Sequence, residues 1–499
     1  MSSAVKIAKK YKHKKVTKVA NAKGSAAYNT TGDARVDLFY LTARGIATEQ
    51  LHALLKASWA QSPIDTVKIV FYNRDCRGGK GEREIFHQSI LWLQEHHQST
   101  IEKNFSQIPF FGSWKDVSKL IGTSLEPKAL EMFVQQLKRD AADIQANPKA
   151  TVSLAAKWAP TEGHAEDVAS KAAKKLALLL GVNRHTAKAE YRKRFLAPLR
   201  KQIKITESYM SQGQWDKIDF SKVPSRCMKL QRVAFERHEP ELFKKYTDSL
   251  AKGETKVNAK QLFPHEIVAS YFSASKVDEI LEGQWKVLVQ ETAKLGSLRD
   301  CIVLSDVSGS MSGRPMEVSV ALGLLISSLT EAPFKDLVIT FHEQPTFHTI
   351  KGENLYERVK DIMGMAWGGS TNFNTVFKII LEKAKAAKLP QAAMPKKLFV
   401  ISDMQFDSAD SKFKSNHKAM IQQYKEAGYE APQIIYWNVN GAYTTTPVGD
   451  ASMQGVGLVS GFSPSILKSI IEVGDTSTLS PLALLQPVLD DKRYADLAV

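Results

Sequence analysis

Apolar residues recur along the first three-fifths of this 499-residue chain at the three- and four-residue spacing of amphipathic helices. Proline and glycine, which interrupt helices, fall between these segments. The pattern predicts helices over residues 36–44, 48–58, 81–95, 126–145, 164–180, 186–208, 226–250, 263–273 and 276–294. Stacked helix pairs of about forty residues bury such faces in succession. We therefore expect a HEAT-like helical repeat with a broad concave or ring-shaped surface.

From residue 300 onward the pattern changes, because short apolar runs now alternate with amphipathic helices. This alternation is typical of a mainly parallel sheet covered by helices on both faces. Strands are predicted over 300–306, 336–342, 345–350, 397–403 and 432–439, and helices over 315–331, 354–364, 373–387, 411–427 and 464–473. The predicted domains are a flexible tail (1–25), an α-helical region (26–295) and a doubly wound α/β domain (296–499).

Positive charge is concentrated in the predicted helical region. Residues 1–300 hold 50 Lys and Arg against 32 Asp and Glu, a net of +18, whereas residues 301–499 hold 18 against 20, a net of −2. A basic region fused to a near-neutral one indicates two different partners. Residues 1–25 hold eight lysines and no acid. This tail is expected to be a solubilising extension, a localisation signal or an arm that seeks phosphate.

A second basic cluster lies on and just before the predicted helix 186–208. Its cations are Arg184, Lys188, Arg192, Lys193, Arg194, Arg200, Lys201 and Lys204. Only Glu190 opposes them, and Tyr191 and Phe195 are interleaved with them. Arginine forks onto phosphate and aromatic rings stack on unpaired bases, so the cluster predicts contact with RNA. The alternative is a solvated helix face, although such faces normally mix both signs of charge.

Segment 74–83 combines three glycines with cations at the start of a predicted helix. Free backbone N–H groups there, together with Arg77, Lys80 and Arg83, favour an anion site for phosphate. The segment is not a P-loop, because neither Ser nor Thr follows Lys80. The alternative is a turn between two helices in which Arg74 and Asp75 pair with each other.

Oxygen-bearing side chains follow two of the predicted strands. Asp306, Ser308 and Ser310 form a D-x-S-x-S run directly after the first strand, and Asp403 ends another. Thr371 lies between them on a glycine-hinged loop. Carboxylates and hydroxyls are hard ligands, so the five residues predict a site for Mg²⁺ or another divalent cation such as Mn²⁺ or Ca²⁺. The alternative is that Asp306 caps a helix and the serines form a turn.

These five positions resemble the metal-ion-dependent adhesion site of von Willebrand factor A domains, which have a doubly wound, Rossmann-like fold. A basic helical region joined to such a domain resembles the TROVE/Ro ribonucleoproteins, and more closely an uncharacterised Ro-related group from plants, large DNA viruses and phages. The matching segments, within residues 25–475, are 27–32, 74–83, 111–116, 157–160, 223–225 and 306–311. The resemblance implies a helical-repeat region that binds RNA.

The first hypothesis is therefore a non-catalytic, Ro-like protein that binds noncoding or misfolded RNA through its basic helices. The metal site would then dock a protein partner or stabilise the sheet edge. A second hypothesis is a metal-dependent protein adaptor without RNA, whose ion accepts an Asp or Glu from an acidic protein partner. A third is a virion component, if the chain is viral.

Other features narrow the class of protein. Enzyme motifs such as G-x-S-x-G, H-E-x-x-H and cysteine pairs with zinc spacing are lacking, so we expect no catalysis. The three cysteines, Cys76, Cys227 and Cys301, are far apart, which indicates a reduced compartment. No apolar run approaches the roughly 18 residues of a membrane span. We expect a cytoplasmic monomer without membrane contact.

Overall fold

The computed structural model describes residues 15–22, 24, 26–183, 185–203, 205–259, 262–296, 298–340, 345–365, 373–405, 413–473 and 479–499. Before residue 300 helices predominate. They are α1 (Ala34–Leu41), α2 (Thr48–Gln61), α3 (Pro63–Arg74), α4 (Arg83–His96), α5 (Gln98–Asn104), α6 (Ile108–Phe111), α7 (Trp114–Ser118), α8 (Glu126–Ala146), α9 (Ala155–Trp158), α10 (Ala165–Ser170), α11 (Ala172–Leu179), α12 (Ala187–Tyr191), α13 (Ala197–Ile203), α14 (Thr206–Ser211), α15 (Ser225–His238), α16 (Pro240–Ala251), α17 (Pro264–Phe272) and α18 (Glu279–Ala293). A π-helical turn, Arg192–Leu196, joins α12 to α13.

The predicted helical character of this region is confirmed, but some boundaries differ. The pattern does not predict α3, because Pro63 reads as a helix breaker. In the structure Pro63 occupies the first turn, where its missing N–H costs nothing, and the Ser62 side chain accepts a hydrogen bond from Asp65 N at 3.4 Å. The helix predicted over 226–250 is two helices, since Pro240 cannot continue α15.

Of the tail predicted over residues 1–25, the structure describes residues 15–22 and 24, and these include a short strand. Strand β1 (Lys18–Ala20) pairs antiparallel with β2 (Ala26–Tyr28). Tyr28 and Thr446 exchange backbone hydrogen bonds of 2.9 and 2.8 Å. The strand that follows the tail is therefore hydrogen-bonded to the second half of the chain.

The second half is built around a six-stranded sheet, within the described residues, in the order β5-β4-β3-β6-β7-β8. Its strands are β3 (Cys301–Ser305), β4 (Leu337–Thr340), β5 (Phe347–Thr349), β6 (Lys397–Ser402), β7 (Gln433–Asn438) and β8 (Val456–Ser460). Only edge strand β5 runs antiparallel among these pairs. The surrounding helices are α19 (Arg314–Leu329), α20 (Leu355–Met363), α21 (Phe373–Ala386), α22 (Phe413–Glu426), α23 (Ile466–Glu472) and α24 (Pro481–Asp490). The predicted mixed α/β region is confirmed.

Strand β8 and helix α24 were not predicted. Gly457 interrupts the apolar run of β8, so the pattern does not predict a strand there. In the structure this glycine allows close packing against α24, because an added Cβ would lie 2.6 Å from Leu484 Cδ1. Beyond α24 the chain returns to the helical region, where Tyr494 donates a 3.1 Å hydrogen bond to Asp75 Oδ2. One apolar core runs from Val36 to Leu497 through both halves. The two halves therefore share apolar packing across the predicted boundary near residue 296.

Among the described residues, no helix is long and apolar enough to cross a bilayer.

Candidate metal centre and RNA interface

The two predicted metal-binding carboxylates meet where the connections of the sheet diverge. From β3 the chain continues to β4 on one side, whereas β6 continues to β7 on the other. Such a switch point leaves a crevice at the carboxyl ends of the two central strands, where ligands bind in doubly wound sheets. Asp306 directly follows β3 and Asp403 directly follows β6. Asp306 N donates to Ile401 O at 2.9 Å, which ties the loop after β3 to strand β6.

Asp306 is held by one residue of its own loop and by one at the end of β6. Its Oδ1 accepts from Ser308 N at 2.9 Å, and its Oδ2 accepts from Ser402 Oγ at 2.5 Å. Burial, with a smaller contribution from the charge of Asp403, raises the pKa of Asp306 to about 6, although the hydrogen bonds from Ser402 and Ser308 oppose this rise. The carboxylate is therefore oriented but short of compensating positive charge.

The predicted hydroxyl ligands also face each other. Ser308 Oγ and Ser310 Oγ lie 3.1 Å apart, with Ser308 buried and Ser310 more accessible. They flank Gly309 in a short 3₁₀ turn, Gly309–Met311, that leads into α19. Thr371, the fifth predicted ligand, lies outside the described residues.

Asp403 supplies the observation that most favours a cation. Its Oδ1 accepts from Gln405 N at 3.0 Å, but its Oδ2 is buried without a hydrogen-bond partner among the described residues. Such an oxygen is costly unless a ligand satisfies it. Met404, the next residue, has a φ of 62°, a strained conformation that often marks functional loops. A divalent cation fits this all-oxygen set of carboxylates and hydroxyls.

The candidate metal site nevertheless contains few acidic side chains. Within the described ranges, no group of three or more His, Cys, Asp and Glu side chains is placed to hold a metal. A cation bound here would consequently need the serine hydroxyls as well as the two carboxylates.

Lys80 does not face solvent, which the predicted anion site at segment 74–83 would require. Lys80 is fully buried, and its Nζ donates to Thr42 O at 3.0 Å, to Ser460 Oγ at 2.8 Å and to Phe39 O. The prediction that Lys80 binds RNA is therefore wrong. Gly79 serves packing, because an added Cβ would lie 2.1 Å from Tyr72 O.

The other charges of this segment form internal pairs. Arg74 clamps Asp116 with bonds of 2.8 and 2.7 Å, and Arg83 reaches the same carboxylate at 3.1 Å. Asp75 pairs with Arg493, so the alternative in which Arg74 and Asp75 pair with each other is also wrong. Burial opposes ionisation of Asp116, but His87 and the arginines hold its pKa well below the usual range.

Arg77 is the exception in segment 74–83. Its guanidinium donates to Phe110 O at 2.6 Å in an exposed setting, so it keeps free donors towards solvent. It remains a predicted RNA contact.

The cluster around Arg192 divides into surface and interior residues. Arg192, Lys193, Arg194 and Lys201 are exposed. Lys188 pairs with Glu162 at 2.8 Å. Two of the other predicted contacts, Arg184 and Lys204, lie outside the described residues.

Arg200 and the two aromatic residues of this cluster point inward, contrary to prediction. Arg200 donates to Ala156 O at 2.8 Å and to Thr161 Oγ1 at 2.6 Å. Tyr191 and Phe195 are buried, so neither is free to stack on a base. The bonds of Arg200 hold α13 against the loop after α9.

A second basic surface was not predicted from the sequence. The ammonium groups of Lys115 and Lys157 lie 5.1 and 5.6 Å from the ring centroid of Trp158. Their positions are far apart in the chain, so no charge run marks them. The only local indication of this surface in the sequence is that Lys157 and Trp158 are adjacent.

Comparison with known proteins places the chain in a family. The family model described as domain of unknown function DUF2828 matches residues 21–131 and 128–298, and domain of unknown function DUF7788 matches residues 300–483. The uncharacterized protein L728 of Acanthamoeba polyphaga mimivirus is 33% identical over 513 residues, covering 95% of this chain and 89% of the viral protein. The molecule is a helix-rich region joined to a mixed parallel sheet. It belongs to the DUF2828 family.

A viral relative fits the predicted group, which includes proteins of large DNA viruses. Among solved structures, the RO (RSR) protein of Deinococcus radiodurans aligns over 88% of this chain and 90% of its own, with a TM-score of 0.38 and 12% identity.

Proposed function

We propose that this protein is a non-catalytic RNA-binding protein whose basic helical region contacts RNA and whose sheet region carries a divalent cation. The observation that carries the proposal is the separation of charge, +18 in residues 1–300 against −2 in residues 301–499. Phosphate neutralisation by Lys and Arg supplies most of the affinity for nucleic acids. Noncoding or misfolded RNA is the proposed ligand, and the cytoplasm the proposed location.

We assign the sheet region to the von Willebrand A class. The strand order β5-β4-β3-β6-β7-β8 and the placement of Asp306 and Asp403 at its switch point support this assignment. Asp306, Ser308, Ser310 and Asp403 would hold Mg²⁺, with Thr371 added from the sequence pattern. The ion would supply an open coordination position for a partner's carboxylate, or would stabilise the sheet edge.

Titration of the full-length protein with a fluorescent single-stranded RNA at several salt concentrations tests the RNA role. Affinity should fall steeply as salt rises, because bound phosphates release counterions. The control is Glu382→Gln, which removes an exposed charge from α21 in the sheet region and should leave RNA affinity and its salt dependence unchanged. Absence of RNA binding at low salt would refute the proposal.

A metal-dependent adaptor is the second candidate. The unsatisfied buried oxygen of Asp403 favours it, since this centre lacks neutralising cations among the described residues. In that case a protein partner would bind only with Mg²⁺ present, and Asp306→Ala or a chelator would abolish binding. The mimivirus relative also keeps a virion component as a third candidate.

A further inference from the structure

Two lysines from separate helices place their ammonium groups beside the aromatic ring of Trp158. Lys115 belongs to α7 and Lys157 to α9, and both ammonium groups lie within 6 Å of the ring centroid of Trp158. Ammonium groups over the face of an indole are attracted by its quadrupole. Trp158 is half-buried, so the ring is fixed by packing while part of it faces solvent. The two charges are thus held beside an accessible ring.

Further cations converge on the same place from distant parts of the chain. Burial lowers the pKa of Lys115, and the charges of Arg83, Lys119 and Arg226 lower it further. These side chains come from the start of α4, the end of α7 and the first turn of α15. Like charges brought together by folding repel one another, so their accumulation costs stability.

Acidic groups only partly offset this accumulation. Asp116, which faces Lys115 and Arg83, is already clamped by Arg74. Glu207 pairs with Lys157 at 2.7 Å, and Glu266 pairs with Arg226 at 3.5 Å.

Two cations of the group remain free of such pairing. Neither Lys115 nor Lys119 makes an ion pair within the part of the chain that the structure describes. A surplus of positive charge therefore remains around Trp158.

We propose that Arg83, Lys115, Lys119, Lys157 and Arg226, together with Trp158, form a binding surface for the phosphates and one base of single-stranded RNA. This surface, the basic band, rests on the proposed RNA-binding function and gives it a location. Paired cations beside an aromatic ring match a strand whose phosphates alternate with stacking bases. An acidic peptide could pair with the cations of the basic band, but it has no base to stack on the ring of Trp158.

The cations of the basic band are also ordered in advance. Arg83, Lys157 and Arg226 are each held by a carboxylate, and Lys115 and Lys157 by the indole. Side chains fixed before binding lose less conformational entropy on contact with a ligand. The exposed run Arg192–Arg194 lacks ion pairs of this kind in the described ranges.

The test compares two double variants of the full-length chain with a fluorescent 20-nucleotide oligouridine. Lys115→Gln with Lys157→Gln removes two charges from the basic band. Lys378→Gln with Lys385→Gln removes two exposed charges from α21 and serves as the control. The band variant should bind about tenfold more weakly, and the slope of log affinity against log salt should fall by about 1.4, as expected for two lost phosphate contacts on a single strand.

Two further variants separate contact from folding. Lys115→Arg with Lys157→Arg keeps both charges and should retain most of the affinity, whereas Trp158→Leu should weaken binding with less change in the salt slope. Thermal melting checks that each variant is folded. Loss of affinity in the arginine variant equal to that in the glutamine variant would overturn the phosphate role.

The outcomes distinguish the band from the function on which it rests. If the wild-type protein binds oligouridine and the band variant binds equally well, the band is refuted while RNA binding stands. If the wild-type protein does not bind oligouridine, both are refuted. Binding of an oligoglutamate peptide instead, lost in the band variant, would assign the surface to an acidic protein.

Discussion

Buried charges play opposite parts in the two halves of the molecule. In the helical region Asp116 is clamped by Arg74, and buried Lys80 is surrounded by two carbonyls and a hydroxyl. In the sheet region Asp306 and Asp403 are equally buried, but no cation pairs with either among the described residues. In the first set the chain itself supplies the partners, a guanidinium for Asp116 and hydrogen-bond acceptors for Lys80. The second set has no cationic partner among the described residues.

This contrast predicts where substitutions will cost stability. Removing one member of a satisfied buried pair leaves an uncompensated charge, which is strongly destabilising. Removing one of two unpaired carboxylates instead relieves repulsion. The same type of change, a buried Asp replaced by Asn, should therefore cost much stability in the helical region and little in the sheet region.

The largest effect is expected for Asp116→Asn. The substitution leaves the buried guanidinium of Arg74 without its carboxylate and removes the partner of Arg83. We expect the free energy of unfolding to fall by about 3–5 kcal/mol. Urea unfolding of the full-length protein measures this loss.

Glu102→Gln is the matched control for Asp116→Asn, because it breaks the exposed pair with Lys128. Its unfolding midpoint should match that of the wild type. An Asp116→Asn midpoint equal to that of the control would show that the buried pair does not stabilise the helical region.

A smaller and pH-dependent effect is expected at Lys80. Burial lowers its pKa to about 7, below the value near 10.4 of an unfolded chain. Between these values the unfolded chain binds more protons than the folded one, so the contribution of Lys80 to stability rises with pH. Relative to Lys80→Met, the wild type should gain up to about 1.4 kcal/mol per pH unit above pH 7.

Unfolding of both proteins by urea from pH 7 to about 9.5 measures this gain. Lys378→Met, at an exposed position, is the control and should follow the wild type. A difference between the wild type and Lys80→Met that stays constant with pH would contradict the lowered pKa.

The sequence predicts the placement of the two candidate metal-binding carboxylates better than the placement of the basic side chains, for a physical reason. Asp306 and Asp403 each follow an apolar strand, and parallel strands bring their carboxyl ends to one edge of a sheet. Strand periodicity therefore locates both residues. The orphan oxygen of Asp403 depends on packing, which no local pattern contains.

Charge in the helical region is harder to place from the sequence. Lys80 and Arg200 stand in basic segments, yet each donates hydrogen bonds to interior acceptors. Lys115 and Lys157 are far apart in the chain, yet both lie beside Trp158, and the charge of the equally distant Arg226 acts on Lys115. Periodicity predicts which segments are helical, whereas tertiary contacts decide which face of each helix is buried.

Asp306→Asn should have little effect on stability in the absence of Mg²⁺, since it removes the repulsion from Asp403. A ligand that binds only the folded state raises its stability. Mg²⁺ should therefore raise the melting temperature of the wild type but not of the variant. Glu382→Gln, an exposed acid of the same region, should keep the response. Calorimetric Mg²⁺ uptake by Asp306→Asn equal to that of the wild type would refute the centre.

The smallest effect on stability is expected from charge reversal of Arg192, Lys193 and Arg194 to Glu. All three side chains are exposed, so unfolding should be unchanged. RNA affinity should nevertheless fall and its salt slope should flatten, because phosphate contacts are replaced by repulsion. An unchanged slope would exclude these residues from the RNA surface. Together with a loss in the Lys115 and Lys157 variant, that result would assign phosphate binding to the cations around Trp158 alone.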